Sequence, residues 1–111
     1  MIRLSEMSGG AIKLSGQAAA ARDHRGSHMQ IIACAGAGKT ETVSQRIASL
    51  VNEGVEPRSI VAFTFTERAA SELKHRIALR VRDIAGTGWE DKLTGLFVGT
   101  IHAYCFRLLQ L

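Results

Sequence analysis

Apolar residues return along this chain in two rhythms, and their alternation lays out its elements. Val43, Ile47, Leu50 and Val51 recur at i, i+4, i+7 and i+8, one stripe of a helix. Gly54 is placed to end that helix, and Pro57 prevents an early restart. A second stripe runs through Ala69, Ala70, Leu73, Ile77, Val81 and Ile84. Thr66 can cap that helix, Glu67 suits its first turn, and Gly86-Thr87-Gly88 breaks it. Its other face carries Arg68, Lys74, His75, Arg76, Arg80 and Arg82, the pattern of a solvated surface. Shorter apolar runs alternate with these helices. Residues 30–34 hold Ile31 and Ile32, residues 59–64 hold Ile60-Val61-Ala62-Phe63, and residues 96–99 form a third run. The first two read as buried strands, with Phe63 in the core, and the third as a further strand.

The first twelve residues sustain no period and read as a loose tail. Residues 13–24, with four consecutive alanines, favour helix, and 25–28 are a polar connector. Residues 89–94 form a connector or short helix, and 103–111 begin a final helix. A helix followed by three strand–helix units implies an α/β fold with a parallel sheet and right-handed crossovers. The chain stops within an apolar helical pattern, Phe106-Arg107-Leu108-Leu109, so the expectation is an incomplete sheet of about three strands, with 13–111 the N-terminal part of a larger domain.

Composition changes this picture little. With 46% hydrophobic and 22% charged residues over 111 positions, the chain is ordinary for a globular protein. No apolar run approaches the ~18 residues of a membrane span, and no signal-peptide order opens the chain; no membrane partner and a cytoplasmic location are expected. Cys34 and Cys105 are too few for a disulfide framework or zinc site and read as reduced, mostly buried thiols. A net charge of +4 tilts the balance toward an anionic partner.

The chemistry sits in Ala33-Cys34-Ala35-Gly36-Ala37-Gly38-Lys39-Thr40, between an expected strand and an expected helix. Small residues let the backbone curl so that successive N–H groups point at phosphate oxygens, and the following helix adds its positive end. Ala35, Gly36, Ala37 and Gly38 would form that cradle. Lys39 would bring a charge to the β- and γ-phosphates, and the Thr40 hydroxyl could ligate Mg²⁺. ATP and Mg²⁺ are thus the expected cofactors, with Lys39 and Thr40 the catalytic pair. On spacing alone, P-loop kinases and transporter ATPases remain open.

Three further segments narrow the choice. With them the sequence resembles the UvrD/Rep branch of superfamily 1 helicases, including RecB- and AddA-related types, whose P-loop takes the A-x-A-G-x-G-K-T form seen at 33–40. Leu14-Ser15-Gly16-Gln17 looks like the family's Q motif, and an amide at Gln17 can donate and accept toward adenine. Phe63-Thr64-Phe65-Thr66-Glu67-Arg68-Ala69-Ala70 resembles motif Ia, and Val98-Gly99-Thr100-Ile101-His102-Ala103 resembles motif Ib. The resemblance implies a RecA-like P-loop NTPase fold and an ATP-dependent DNA helicase, moving 3′ to 5′ in repair or recombination. It also implies single-stranded DNA against Thr64, Phe65, Thr66, Thr100 and His102. An aromatic such as Phe65 can stack on any base, while hydroxyls and N–H groups hold phosphates. Glu41 stands where many relatives carry a nucleotide-holding arginine, and it is counted with the nucleotide-side residues.

Hydrolysis needs more than a cradle. The family's next motif is an apolar strand ending in Asp-Glu, and none exists here: Glu53 and Asp83 fall on expected helices and Asp91 in a polar connector. Alone, the chain is expected not to turn over ATP or unwind DNA, and to need the remaining helicase domains as partners. The other reading is a truncated module that binds nucleotide or DNA without turnover.

Overall fold

The computed structural model describes residues 14, 16–30 and 38–110, together with the backbone pairing of 7–8 and 11–12. The expected strand at 30–34 lies outside the described residues apart from Gln30, as do Cys34 and the cradle residues Ala35, Gly36 and Ala37.

Where an unstructured tail is expected, β1 (Met7–Ser8) pairs antiparallel with β2 (Ala11–Ile12). Helix α1 spans Gly16–Asp23 and α2 spans Lys39–Asn52. A 3-10 turn at Pro57–Ser59 then leads into β3 (Val61–Thr64). Helix α3 follows over Glu67–Ala85, and a second 3-10 turn at Asp91–Leu93 precedes β4 (Phe97–Thr100) and α4 (Ile101–Leu109). Strands β3 and β4 pair in parallel, from Val61 opposite Phe97 to Thr64 opposite Thr100, with α3 as the crossover between them. Among the described residues this is a small α/β arrangement of one two-stranded parallel sheet, one short antiparallel pair and four helices. No helix among them is long and apolar enough to cross a membrane.

The core forms where α2 meets α3. Ile47, Ala48 and Val51 pack against Ala70, Leu73, Ile77 and Val81, with Val98 of β4 beneath. The buried side of α2 is rotated from the expected stripe. Ser44 and Ala48 are fully buried while Val43 and Leu50 are partly exposed. On α3 the stripe is as expected from Ala70 to Val81, but Ala69 is half-buried and Ile84 is 49% exposed. Ile77 is completely enclosed, and truncating such a residue to alanine costs about 2–5 kcal/mol.

Two expectations about burial fail. Strand β3 is not buried on both faces: Ile60 and Ala62 pack on the core, whereas Val61 and Phe63 are exposed on the other side. Phe63 instead sits edge-on to Phe97 and Tyr104, in a three-ring cluster that also receives Arg107 over the Phe97 ring. Cys105 is exposed rather than buried.

Helix α1 is fastened to α2 by arginines. Arg46 of α2 donates to the carbonyls of Ala21 and His24 at 2.9 and 2.7 Å, satisfying two acceptors at the α1 C-terminus. Arg25 reaches both Glu53 carboxylate oxygens and the Ser49 hydroxyl. Leu14 and Ala18 form a small apolar cluster, with Ala19 packed against it.

Candidate nucleotide and DNA interface

Three of the four helices begin at sequence positions expected to bind ligands. Gly38 precedes α2 with φ +85°, the left-handed region that glycine enters without a Cβ penalty. Having no side chain, Gly38 offers the first N–H groups of α2 no internal cap, which leaves them available to an anion. Lys39 and Thr40 open α2 and are both exposed. Behind them the first turns are closed by Thr42, whose N–H and hydroxyl both donate to the Gly38 carbonyl, and by Ser44, whose hydroxyl donates to the Thr40 carbonyl at 2.6 Å. Lys39 and Thr40, expected to face phosphate, are therefore presented outward on a firmly bonded turn. That arrangement fits a triphosphate at Lys39 and a metal-ligating hydroxyl at Thr40. Ala35, Gly36 and Ala37 lie outside the described residues. Gln17 is exposed near the start of α1, which Arg46 holds against α2.

The second and third helix starts stand side by side at the carboxyl ends of the parallel strands. Thr66 precedes α3, and its hydroxyl accepts from the Ala69 N–H at 3.0 Å. Thr100 precedes α4 and accepts from the Ala103 N–H at 3.2 Å. Thr64 lies opposite Thr100 in the ladder and donates from its hydroxyl to the Thr66 carbonyl. Between Thr64 and Thr66, Phe65 projects with 99% of its surface exposed, free to stack on a flat ring. His102 is exposed in the first turn of α4. Thr64, Phe65, Thr66, Thr100 and His102 thus share one rim of the molecule. Sequence reasoning missed Glu67 there, which accepts from the Thr100 hydroxyl at 3.3 Å and adds a negative charge.

Glu41 is not presented to the phosphate side. It is 2% exposed, and its carboxylate is turned to α3, with Oε1 2.7 Å from Arg80 Nε and Oε2 2.9 Å from Arg76 Nη1. Gln45 also donates to Oε1 at 2.8 Å, and Arg80 reaches Asp83 at 2.9 Å. Both oxygens are engaged within the protein, so a nucleotide-binding role for this side chain is replaced by an interhelical one. Arg80, at 8% exposure, is correspondingly not part of a solvated basic face, while Arg76 is half-buried at its edge. Removing one partner from a buried pair such as Glu41–Arg80 costs about 3–5 kcal/mol, because the other charge stays buried. The spacing held a signal: Arg76 and Arg80 follow Leu73 and Ile77 by three residues, on the edge of the core stripe.

Elsewhere the ends of the helices are tuned by ordinary pairs. Arg22 hydrogen-bonds the neighbouring Asp23 carboxylate, which holds that carboxyl below the usual carboxylate range. Among the described residues no group of three His, Cys, Asp or Glu gathers to hold a metal, so Thr40 is the one expected Mg²⁺ ligand they contain.

A helix start behind the left-handed Gly38 and a rim of two threonine-capped helix starts characterise this small α/β unit. The family model for the UvrD/REP helicase N-terminal domain matches residues 14–111, and the chain belongs to that family. It is 44% identical over 77 residues to a probable DNA helicase of Mycoplasma pneumoniae, covering 68% of this chain and 13% of that protein. It is 41% identical over 85 residues to DNA helicase II of Escherichia coli, covering 76% and 11% respectively. To the ATP-dependent DNA helicase PcrA of Staphylococcus aureus it is 40% identical over 81 residues, covering 72% and 10%. The chain thus spans little more than a tenth of the length of these relatives.

Proposed function

We propose that this chain is the ATP-binding segment of an ATP-dependent DNA helicase motor, built on a RecA-like P-loop domain whose remaining parts lie in a longer polypeptide. The observation that carries the reading is the outward presentation of Lys39 and Thr40 on the first turn of α2, behind the left-handed Gly38. Lys39 attracts the β- and γ-phosphates, Thr40 holds Mg²⁺, and the N–H groups of residues 35–38 cradle the phosphates. Gln17 reads the adenine edge from α1. A bound Mg²⁺ would neutralise the phosphate charge.

Single-stranded DNA lies along the rim, with Phe65 stacked on a base and Thr64, Thr66, Thr100 and His102 toward the backbone. In the longer protein this serves translocation and unwinding, 3′ to 5′, in repair or recombination in the cytoplasm. The 111-residue chain alone binds without turning over ATP, because no apolar strand in its sequence ends in the Asp-Glu pair that places metal and water. A P-loop enzyme acting on a small molecule is a competing reading, and the exposed Phe65 weighs against it.

The test is binding of a labelled single-stranded oligonucleotide across a salt series. Affinity should fall as salt rises, with a log–log slope of about −0.7 per phosphate contacted. An oligonucleotide that binds no better at low salt than at high salt would refute the DNA part of the reading.

A further inference from the structure

The buried carboxylate of Glu41 follows directly on Thr40, yet it faces away from the ligand side and into α3. A carboxylate is costly to bury and is retained here between two guanidiniums, one from Arg76 and one from Arg80. The Arg76 contact joins residues 35 positions apart in sequence, so it constrains tertiary placement rather than local helix formation. Its location is also specific. The buried apolar residues of α2 in the core with α3 are Ile47, Ala48 and Val51, all later in the helix. Nearer its start Val43 packs against that core only partly buried, flanked by Thr42 and Ser44, and the ion pairs join the first turn to α3. Among the described residues, the apolar contact near that turn is the partly buried Val43. Gln45, one turn on, braces the same oxygen that meets Arg80.

We propose that Glu41 is a positioning residue: with Arg76 and Arg80 it clasps the first turn of α2 to α3, fixing where Lys39 and Thr40 stand. For its consequence at the ligand the proposal rests on the nucleotide reading above; the clasp itself does not. The same clasp makes α2 and α3 one body, so the phosphate-side turn and the Thr66–Phe65 rim keep a fixed relation through the length of α3.

The test compares the wild-type chain with Glu41→Gln and Arg76→Gln, with Arg68→Gln as control, since the Arg68–Glu72 pair is exposed and off the interface. Arg76 is 40% exposed in its side chain, so its variant remains folded even where Glu41→Gln is severely destabilised. Two quantities are read at a temperature where each variant is folded: amide exchange along α2, and the Kd for Mg·ATP. Loss of the clasp should lower protection at residues 42–44 by about tenfold, one factor per 1.4 kcal/mol, while residues 47–51 keep theirs. The Kd should rise in the same variants and stay unchanged in Arg68→Gln.

Unchanged protection at 42–44, or a loss spread evenly over α2, overturns the clasp. So does the local loss of protection without any change in Kd, because the pair would then hold the fold and not the ligand turn. If the wild-type chain binds no Mg·ATP but the local exchange pattern is found, the clasp stands and the nucleotide reading fails.

Discussion

Thr100 donates its hydroxyl proton to Glu67 at 3.3 Å, tying the residue that caps α4 to the first turn of α3. Glu67 is favourable to α3 because a carboxylate near a helix N-terminus meets its positive end. It is unfavourable to a phosphate arriving at the same rim. Glu67→Gln is therefore expected to raise single-stranded DNA affinity several-fold at low salt while slightly lowering the melting temperature. Weaker DNA binding by this variant would place the strand elsewhere.

The two capping threonines give a cleaner test of stability. Thr66 and Thr100 each satisfy a backbone N–H three residues on, and replacing such a cap by alanine costs about 0.5–2 kcal/mol. Urea denaturation of Thr66→Ala and Thr100→Ala should show losses in that range, with serine restoring most of each.

Phe65 should separate binding from folding. With 99% of its surface exposed it contributes little to the core, so Phe65→Ala is expected to change stability by no more than ~0.5 kcal/mol. Loss of a stacked base costs about 1–3 kcal/mol in DNA affinity. Parallel denaturation and fluorescence-anisotropy titrations check both numbers. A large stability loss with DNA affinity intact would assign Phe65 to packing.

Gly99 is demanded by its neighbour on the strand. A Cβ at position 99 would stand 2.9 Å from Phe97 Cζ, and the Phe97 ring is itself packed against Phe63 and Tyr104. Gly99→Ala should displace the ring, cost about 1–3 kcal/mol and alter the near-ultraviolet circular dichroism of the cluster.

Much of this arrangement was legible in the chain because it obeys local rules. The i, i+4 stripes gave α2 and α3 to within a few residues, and Thr66 and Gly86 mark the ends of α3 as capping chemistry requires. The sequence pattern starts α4 at Ala103, two residues late, because Thr100 serves as its cap as well as standing in a ligand motif. What escaped was tertiary. A glutamate scores as exposed unless its partners are known, and those partners stand far along the chain on α3. Similarly, Phe63 reads as core in any apolar run, but only the strand register and the packing of Ile60 and Ala62 decide which face of β3 is inward. The Arg46 clamp was invisible for the same reason, because its acceptors are backbone carbonyls that no sequence pattern marks.

That clamp sets the place of Gln17. Two hydrogen bonds from a charged donor are each worth about 1.5–3 kcal/mol, discounted here because Arg46 is only partly buried. Arg46→Met should loosen α1, increase exchange at the amides of residues 18–23, and leave α3 protected.

The central claim is that the first turn of α2 holds the phosphates of ATP, and one titration addresses it most directly. A fluorescent ATP analogue with Mg²⁺ is titrated into the wild-type chain and into Lys39→Ala, with thermal melts run on both. Lys39 is exposed, so the substitution should leave the melt unchanged and abolish saturable binding. Equal binding by the two folded proteins, or no binding by the wild type, would contradict the claim.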